Sequence, residues 1–508
     1  MSQCRVCAAV DLRVAMDVDA TPRGIPETRR YVVCVRCGSL MDVVGIPRFT
    51  GKDAHAPLTD ETPSVKFYLE VGAGIESFAT LLCLLEKALG TRSGAPHGCG
   101  GLLDVGAGFG FMVSMARARG WQAVGLEPSG MGRVGSDILD VPILSDPLEC
   151  ARIPEGAFNA IVSCEVVEHV ANPGSFIATL ARHLAPGGVL VLTTPNGEVI
   201  RGQAATEREW YEALSPGDHL TLLSPLAMDL LLRAHGFDDV RLLLMGGTSG
   251  RKHIIAIAAR EHGSLPPAFE WDVVCQEGQQ LALGYLEELT RRRELAGHLD
   301  VLYGGALFRM ARILIHRGAY ADAAVPLRKL EAHLCRTQAL GGLMDATNAS
   351  FDEYVSRYPA FIGEYYFLRG IYGLNYAGDY TEAAQSFGLA ATLCRIEHRV
   401  GHFPRVGWAE RATLHQGLAL LRSGRYGDAL ALFDGLLKDP SRVPAEYLSA
   451  LYRGKVIAHA ELEQYEAARD FLCSLIGDTR AGYRRRYLVP LRRGVRRAVR
   501  WVGLRVGG

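Results

Sequence analysis

An acid at the end of an apolar strand, three alternating glycines and a second acid further on make the most chemically loaded stretch of this 508-residue chain. Residues 102–110 read LLDVGAGFG, supplying Asp104, Gly106, Ala107, Gly108 and Gly110; residues 121–129 read WQAVGLEPS, with Glu127 and Pro128 near the end. Glycines after a strand permit positive φ and close approach of a ligand to the backbone. A carboxylate about 20 residues beyond such a loop is where a doubly wound nucleotide fold holds ribose hydroxyls. A dinucleotide fingerprint, G-x-G-x-x-G, cradles pyrophosphate at a helix N-terminus. Here the spacing is G-x-G-x-G and Asp104 heads it, a charge that repels phosphate. The pattern calls for a cationic or zwitterionic ligand that carries a ribose.

S-adenosylmethionine has an ammonium, a sulfonium, a ribose diol and no phosphate. Further blocks lie in matching order: FNAIVSC at 158–164, EVVEHV at 165–170, Asn172-Pro173, and LAPGGVLVLTTPN at 184–196. Together these resemble the class I S-adenosylmethionine-dependent methyltransferases over residues 100–260. The resemblance implies methyl transfer by a Rossmann-like, seven-stranded α/β domain. It implies that Asp104 and the Gly106–Gly110 loop, Ala107 included, hold the amino-acid end of the cofactor, and that Glu127, with Pro128, holds the ribose. Leu148 and Glu149 flank the adenine, with Asp146 or Glu149 as the acid there, and Cys164 completes the cofactor-binding set. Asn159 departs from the family's usual Asp, at a position more often structural than catalytic.

An acceptor that arrives as a hydroxyl needs a base, and histidine titrates in the useful range. His169 closes the EH pair after the fourth strand, where it either serves the acceptor or hydrogen-bonds to nearby backbone. His219, in SPGDHLTLLSP at 215–225, is the preferred base. That segment resembles the histidine-bearing loop of sugar and small-molecule methyltransferases, although a solvated loop histidine is the plainer alternative. Asp218 is placed to orient His219; Trp210 and Tyr211 either wall the acceptor or pack the loop.

Cys4-x2-Cys7 and Cys34-x2-Cys37 form two knuckles, a spacing that satisfies tetrahedral zinc. So small a ribbon buries too little apolar surface to fold alone, so the metal is read as structural. The other eight cysteines are scattered and read as small hydrophobes. A cysteine ribbon before this fold resembles several sugar methyltransferases and turns the expected acceptor toward carbohydrate. The longer signature of the sugar C-methyltransferases is missing, which favours O-methylation.

The elements that position these groups divide the chain into a zinc ribbon (1–50), a methyltransferase domain (60–262), a linker or helix (263–295), helical repeats (296–478) and a basic tail (479–508). Residues 64–89 carry helical periodicity and are expected to cover the cofactor cleft. Residues 237–245 and 253–260 are expected to finish the sheet as antiparallel strands. Beyond Pro266-Pro267 a motif recurs: Tyr320, Tyr380, Tyr426 and Tyr465 are each followed by alanine three residues on (Ala323, Ala383, Ala429, Ala468) and a large apolar residue seven on (Leu327, Phe387, Phe433, Leu472). Gly318, Gly378 and Gly424 precede three of the tyrosines by two positions. The motif resembles tetratricopeptide repeats, with irregular spacing and Pro326 interrupting the first copy. Such an array offers either a protein-binding face or a packing and dimerisation domain.

Residues 483–508 hold nine arginines and no acid. Val495, Val499, Trp501 and Val502 interleave with them as in an interfacial helix, worth on the order of 1 kcal/mol per basic residue at an anionic leaflet; nucleic acid is the competing anion and a frayed, solvated tail the plainer alternative. Net charge is zero, which gives no global nucleic-acid signature. No apolar run reaches the roughly 20 residues of a membrane span, and the expectation is that no leader precedes Cys4. The expectation is a cytoplasmic enzyme, with peripheral contact at the inner face of the membrane.

Overall fold

The computed structural model describes residues 2–20, 28–44, 58–59, 62–72, 74–90, 100–199, 211, 213–246, 252–337, 350–400 and 407–477. Trp210 and the basic tail lie outside them. The chain forms two compact units, 1–60 with 73–285 and 61–72 with 286–508.

The first unit holds two sheets. An N-terminal sheet starts with β1 (Leu12–Asp19), β2 (Thr28–Cys34) and β3 (Leu40–Asp42). The main sheet has seven strands. They are β4 (Gly101–Val105), β5 (Gln122–Leu126), β6 (Ile143–Leu144), β7 (Phe158–Cys164), β8 (Leu184–Pro195), β10 (Asp239–Met245) and β11 (His253–Ala259), in the order β10-β11-β8-β7-β4-β5-β6. β4 pairs in parallel with β5 and β7, and β7 with β8, whereas β11 runs antiparallel to β8 and β10. This is the Rossmann-like methyltransferase arrangement, and the two antiparallel strands fall where the sequence places them. Inner strands such as β7 and β8 are near-continuous apolar runs because both faces are covered.

Helix starts follow local capping chemistry. The Ser129, Asn172 and Ser224 side chains each accept a backbone N–H at the start of a helix: Gly130–Leu139, Pro173–His183 and Pro225–Ala234. The one or two helices expected over 64–89 are two, parted between Gly72 and Gly74. Pro63–Phe67 runs into a wide turn at Tyr68–Gly72 and groups with the second unit, while Ile75–Leu89 packs against the helix Phe111–Ala118 and β8. Gly74, at φ +60°, ends the continuity.

The ribbon is not an appendage. The short strand β9 (Thr221–Leu222), which follows His219, pairs antiparallel with β3, Leu40 opposite Leu222 and Met41 opposite Thr221. Cys4, Cys34, Cys37 and Met41 share one apolar core with Leu223, Ala227, Met228 and the main sheet. Burial that a free ribbon lacks is therefore supplied by the domain itself.

The second unit is all helical among its described residues. Helical hairpins are formed by Val301–His316 with Tyr320–Arg336, Ile362–Tyr372 with Tyr380–Arg399, Trp408–Arg422 with Tyr426–Leu437, and Leu448–Glu461 with Tyr465–Gly477. Each motif tyrosine is the first residue of a second helix. Gly318, Gly378 and Gly424 take φ of 72°, 72° and 77° in the preceding turn, and Glu463 adopts 59° at the equivalent place without being glycine. The motif alanines are fully buried. A Cβ on Gly370 would lie 2.7 Å from Phe387, and one on Gly417 2.4 Å from Phe433, so these glycines seat the motif phenylalanines. Pro326 does not interrupt its copy; it lies inside the unbroken helix Tyr320–Arg336. An extra helix, Phe351–Arg357, occupies the longest interval between tyrosines and accounts for the irregular spacing.

Candidate active site

Parallel strands β4, β5 and β7 end side by side, and the loops that follow them build the site. Gly106, Gly108 and Gly110 have φ of +77°, +53° and +78°, a turn that L side chains resist. A Cβ on Gly106 would lie 2.3 Å from the Val166 side chain, and one on Gly110 2.7 Å from Ile143. Around Gly108 nothing among the described residues lies within 4 Å of such an atom, so this glycine has open space beside it there. Glu127 is nearly buried and its carboxylate is fixed at both oxygens, by Gly108 N–H at 3.0 Å and Ser129 N–H at 2.9 Å.

Asp104 is 4% exposed. Burial, and then the charge of Glu127, push its pKa up to about 7. Two enclosed carboxylates beside an open glycine loop make a strongly cation-seeking pocket. Ala107 is buried, Pro128 is exposed, and Leu148 joins the core while Asp146 and Glu149 are exposed, so the acid beside an adenine stays open between those two. Asn159 accepts the Gly101 N–H at 3.2 Å, a structural contact.

A second cluster follows β7. Glu165, with φ +55°, turns the chain sharply and accepts from Thr193 Oγ1 at 2.8 Å. Strain of that kind in a non-glycine residue gathers at functional sites. Glu168 is wholly buried; its Oε2 accepts from Thr194 Oγ1 at 3.0 Å while its Oε1 has no hydrogen-bond partner among the described residues. His169 Nε2 lies 3.9 Å and His219 Nε2 4.0 Å from that orphan oxygen. The two imidazoles meet edge to face with centroids 4.7 Å apart. Each Nδ1 rests on a backbone carbonyl, His169 on Asp218 O at 3.0 Å and His219 on Ala213 O at 2.7 Å. Those bonds fix the tautomers, so both Nε2 lone pairs converge on Glu168 Oε1. A carboxylate and two so-oriented imidazoles are a fitting ligand set for a divalent cation, because metal-bound histidines commonly give their other ring N–H to a carbonyl in this way.

Burial, and then His169, hold the His219 pKa down at about 4. Glu168 is pushed well above the ordinary carboxylate range by burial and then by Glu165. The sequence treats His169 and His219 as alternatives; here they are one constellation. The orienting group on His219 Nδ1 is the Ala213 carbonyl, while the Asp218 carboxylate accepts from Ser215 Oγ at 3.1 Å. Tyr211 packs with the ribbon residues Val18, Tyr31 and Leu40, its hydroxyl donating to Asp19 O at 3.3 Å. Glu168 is not among the residues singled out by sequence, although E-x-x-E-H displays two acids and a histidine in one short turn. Cys164 links the clusters: its thiol is raised by burial and then by the charges of Asp104, Glu165 and Glu168.

In the ribbon, Cys4 Sγ and Cys37 Sγ are 3.6 Å apart, as are Cys7 Sγ and Cys34 Sγ. Tetrahedral zinc with bonds of about 2.3 Å separates its sulfurs by about 3.8 Å. The four thiols therefore fit zinc closely. Hydrogen bonding from Cys4 lowers the Cys37 thiol toward thiolate, and Cys4 is raised in return.

Residues 52–242 match the family model described as a methyltransferase domain. Over 138 residues the chain is 29% identical to a ubiquinone biosynthesis O-methyltransferase of Bradyrhizobium sp. (strain ORS 278), a match covering 24% of this chain and 54% of that protein. The enzyme of the same description from Caulobacter sp. (strain K31) is 33% identical over 106 residues, covering 19% and 40%. The chain thus spans about half the length of the relatives it matches. Among solved structures, Haemonchus contortus phosphoethanolamine N-methyltransferase 2 in complex with S-adenosyl-L-methionine aligns with TM-score 0.32 and 17% identity, over 44% of this chain and 63% of that one. The sheet order, the glycine loop and the family match identify one part of the chain: it carries a class I S-adenosylmethionine-dependent methyltransferase domain.

Proposed function

We propose that the chain transfers the methyl group of S-adenosylmethionine to a hydroxyl oxygen of a small-molecule acceptor, and that sugar or glycan hydroxyls are the first class to test. The observation that carries this reading is the pair of enclosed carboxylates, Asp104 and Glu127, at an open glycine loop beside the Glu168–His169–His219 cluster. Asp104 would hold the cofactor's ammonium and Glu127 its ribose hydroxyls, with the backbone at Gly108 beside the ligand. The acceptor oxygen attacks the methyl carbon in line with the departing sulfur; the C–S bond breaks, the C–O bond forms, and S-adenosylhomocysteine and a proton are released. Alignment supplies most of the acceleration.

His219 alone is a weak base, because burial suppresses its affinity for a proton. That favours Glu168, His169 and His219 acting together to hold a divalent cation, which when bound lowers the pKa of a hydroxyl it contacts. His169, about one third exposed, is the member open to an entering acceptor. The O-methyltransferase names of the relatives support oxygen as the target.

The test is calorimetric titration with S-adenosylmethionine and S-adenosylhomocysteine beside Glu127→Ala, followed by a screen of hydroxylated acceptors with and without Mg2+ or Mn2+. Micromolar binding lost in the variant supports the reading. Absence of binding overturns it in favour of a scaffold in which the helical unit does the work. The cysteine quartet is proposed to hold structural zinc, and the hairpins to form a tetratricopeptide-like face for a protein partner. Residues 479–508 are proposed to touch anionic lipid at the inner face of the cytoplasmic membrane. Vesicle binding that is salt-sensitive and lost on truncation at Gly482 tests the last of these.

A further inference from the structure

The acceptor-side cluster is held together by a residue of the cysteine ribbon that the methyl-transfer reading leaves unused. Arg5 lies between Cys4 and Cys7, in the first knuckle. Its guanidinium spans two segments. Nη1 donates to Leu220 O at 2.6 Å and reaches Thr221 Oγ1 at 3.4 Å, and Nη2 donates to Asp42 O at 3.0 Å. Leu220 is the residue after His219. On its other side the same stretch is fixed to the cluster, Leu220 N–H and Thr221 N–H both donating to Glu168 O at 2.7 and 3.1 Å. Asp42 N–H donates to Leu220 O at 3.1 Å, and Ser224 Oγ donates to Cys37 O at 2.5 Å.

The His219 loop is thus clamped between the Glu168 turn and the ribbon, and Arg5 is the charged side chain that closes the clamp. Ser215, at φ +38°, shows that the loop is not in a relaxed conformation of its own. A single side chain that bridges two carbonyls of different segments is well suited to hold such a loop, since the planar guanidinium satisfies both in one rigid geometry.

We propose that Arg5 is a positioning residue for the acceptor side: by bridging Leu220 and Asp42 it holds His219 against Glu168 and His169, so the ribbon is a working part of the active site. This rests on the reading of that cluster as the acceptor side. A metal held by the four cysteines would fix the knuckle from which Arg5 extends.

The test compares the full chain with Arg5→Ala and Arg5→Lys, using histidine NMR, backbone amide exchange and calorimetry with S-adenosylmethionine alone. In the parent the His219 ring N–H is held on Ala213 O at 2.7 Å. In Arg5→Ala the loop opens to water, so that ring N–H exchanges with solvent at least tenfold faster. Protection of the Thr221 and Leu222 amides falls at least tenfold, while cofactor affinity stays within twofold. Arg5→Lys, which can reach one carbonyl but not both, falls between. A folded Arg5→Ala protein with unchanged His219 ring N–H exchange and amide protection overturns the proposal. Should Arg5→Ala fail to fold, the lysine variant decides on the same readouts. Failure of the parent to bind cofactor counts against the methyltransferase reading instead, and the exchange readouts still decide the role of Arg5 independently.

Discussion

The two halves of the site solve the same problem, an acid kept away from water, by different routes. On the cofactor side, Asp104 and Glu127 come from one β-α-β unit, and the Glu127 carboxylate is held by backbone N–H groups of Gly108 and Ser129 within that unit. On the acceptor side, Glu168 is held by Thr194 and faced by His219, and the loop bearing His219 is tied to Arg5, more than 200 positions earlier in the chain. Local hydrogen bonding builds the first half and long-range assembly the second. Disturbing the cofactor half should cost binding, and disturbing the acceptor half should cost turnover.

The largest effect is expected from Glu168→Gln. Amide and carboxyl have the same shape, but the neutral amide lacks the negative charge that would hold a cation alongside His169 and His219. Turnover should fall about 100-fold or more. S-adenosylmethionine affinity should stay within about twofold. Because burial already raises the Glu168 pKa well above the carboxylate range, the neutral variant should melt at a higher temperature than the parent at pH 8. Calorimetry with Mn2+ alone should show one site lost in this variant and in His219→Ala. Loss of cofactor binding in Glu168→Gln would mean the halves are not separable.

The glycine loop, the first acid and the second acid are legible in sequence because they lie within one supersecondary unit, where spacing is geometry. The sheet order and the antiparallel edge strands are legible for the same reason. Glu168 is not, because its role depends on burial and on an unpaired oxygen, which no spacing records. Nor is Arg5, whose partners Leu220 and Asp42 become its neighbours only when β9 adds to the ribbon sheet. In the helical unit the tyrosine-alanine motif marks helix starts correctly. Glu463 hides one copy of the turn by adopting the left-handed conformation without a glycine, and Pro326 reads as a break where the helix in fact continues.

Two glycines sharpen the cofactor half further. Gly108→Ala meets no atom of the described residues within 4 Å, so its expected cost to folding is that of the left-handed backbone, about 1 kcal/mol, while the added methyl occupies ligand space. Cofactor affinity should drop at least tenfold with a small change in Tm. Gly106→Ala drives a methyl into Val166 and should lower Tm by several degrees more than Gly108→Ala. Equal melting temperatures for the two would show that the loop relaxes and that the open side of Gly108 is not the ligand side.

The pH dependence of cofactor binding tests the same half without changing a residue. Asp104 has its pKa raised to about 7, so without ligand its carboxyl keeps a proton through the mildly acidic range. The sign follows from linkage. A raised acid stabilises the ligand-free fold below its ordinary pKa, and that contribution fades as pH climbs through about 7. An ammonium ligand needs the ionised form, so its affinity should rise over the same window, roughly twentyfold between pH 5.5 and 7.5 for a single proton released on binding. The increase in Tm on adding S-adenosylmethionine should therefore be larger at pH 7.5 than at pH 5.5. Asp104→Asn should bind more weakly and lose this slope, whereas Glu168→Gln should keep it, since the proton concerned belongs to the cofactor half. A slope that survives Asp104→Asn and disappears in Glu168→Gln would place the titrating acid on the acceptor side and dissolve the division between the halves.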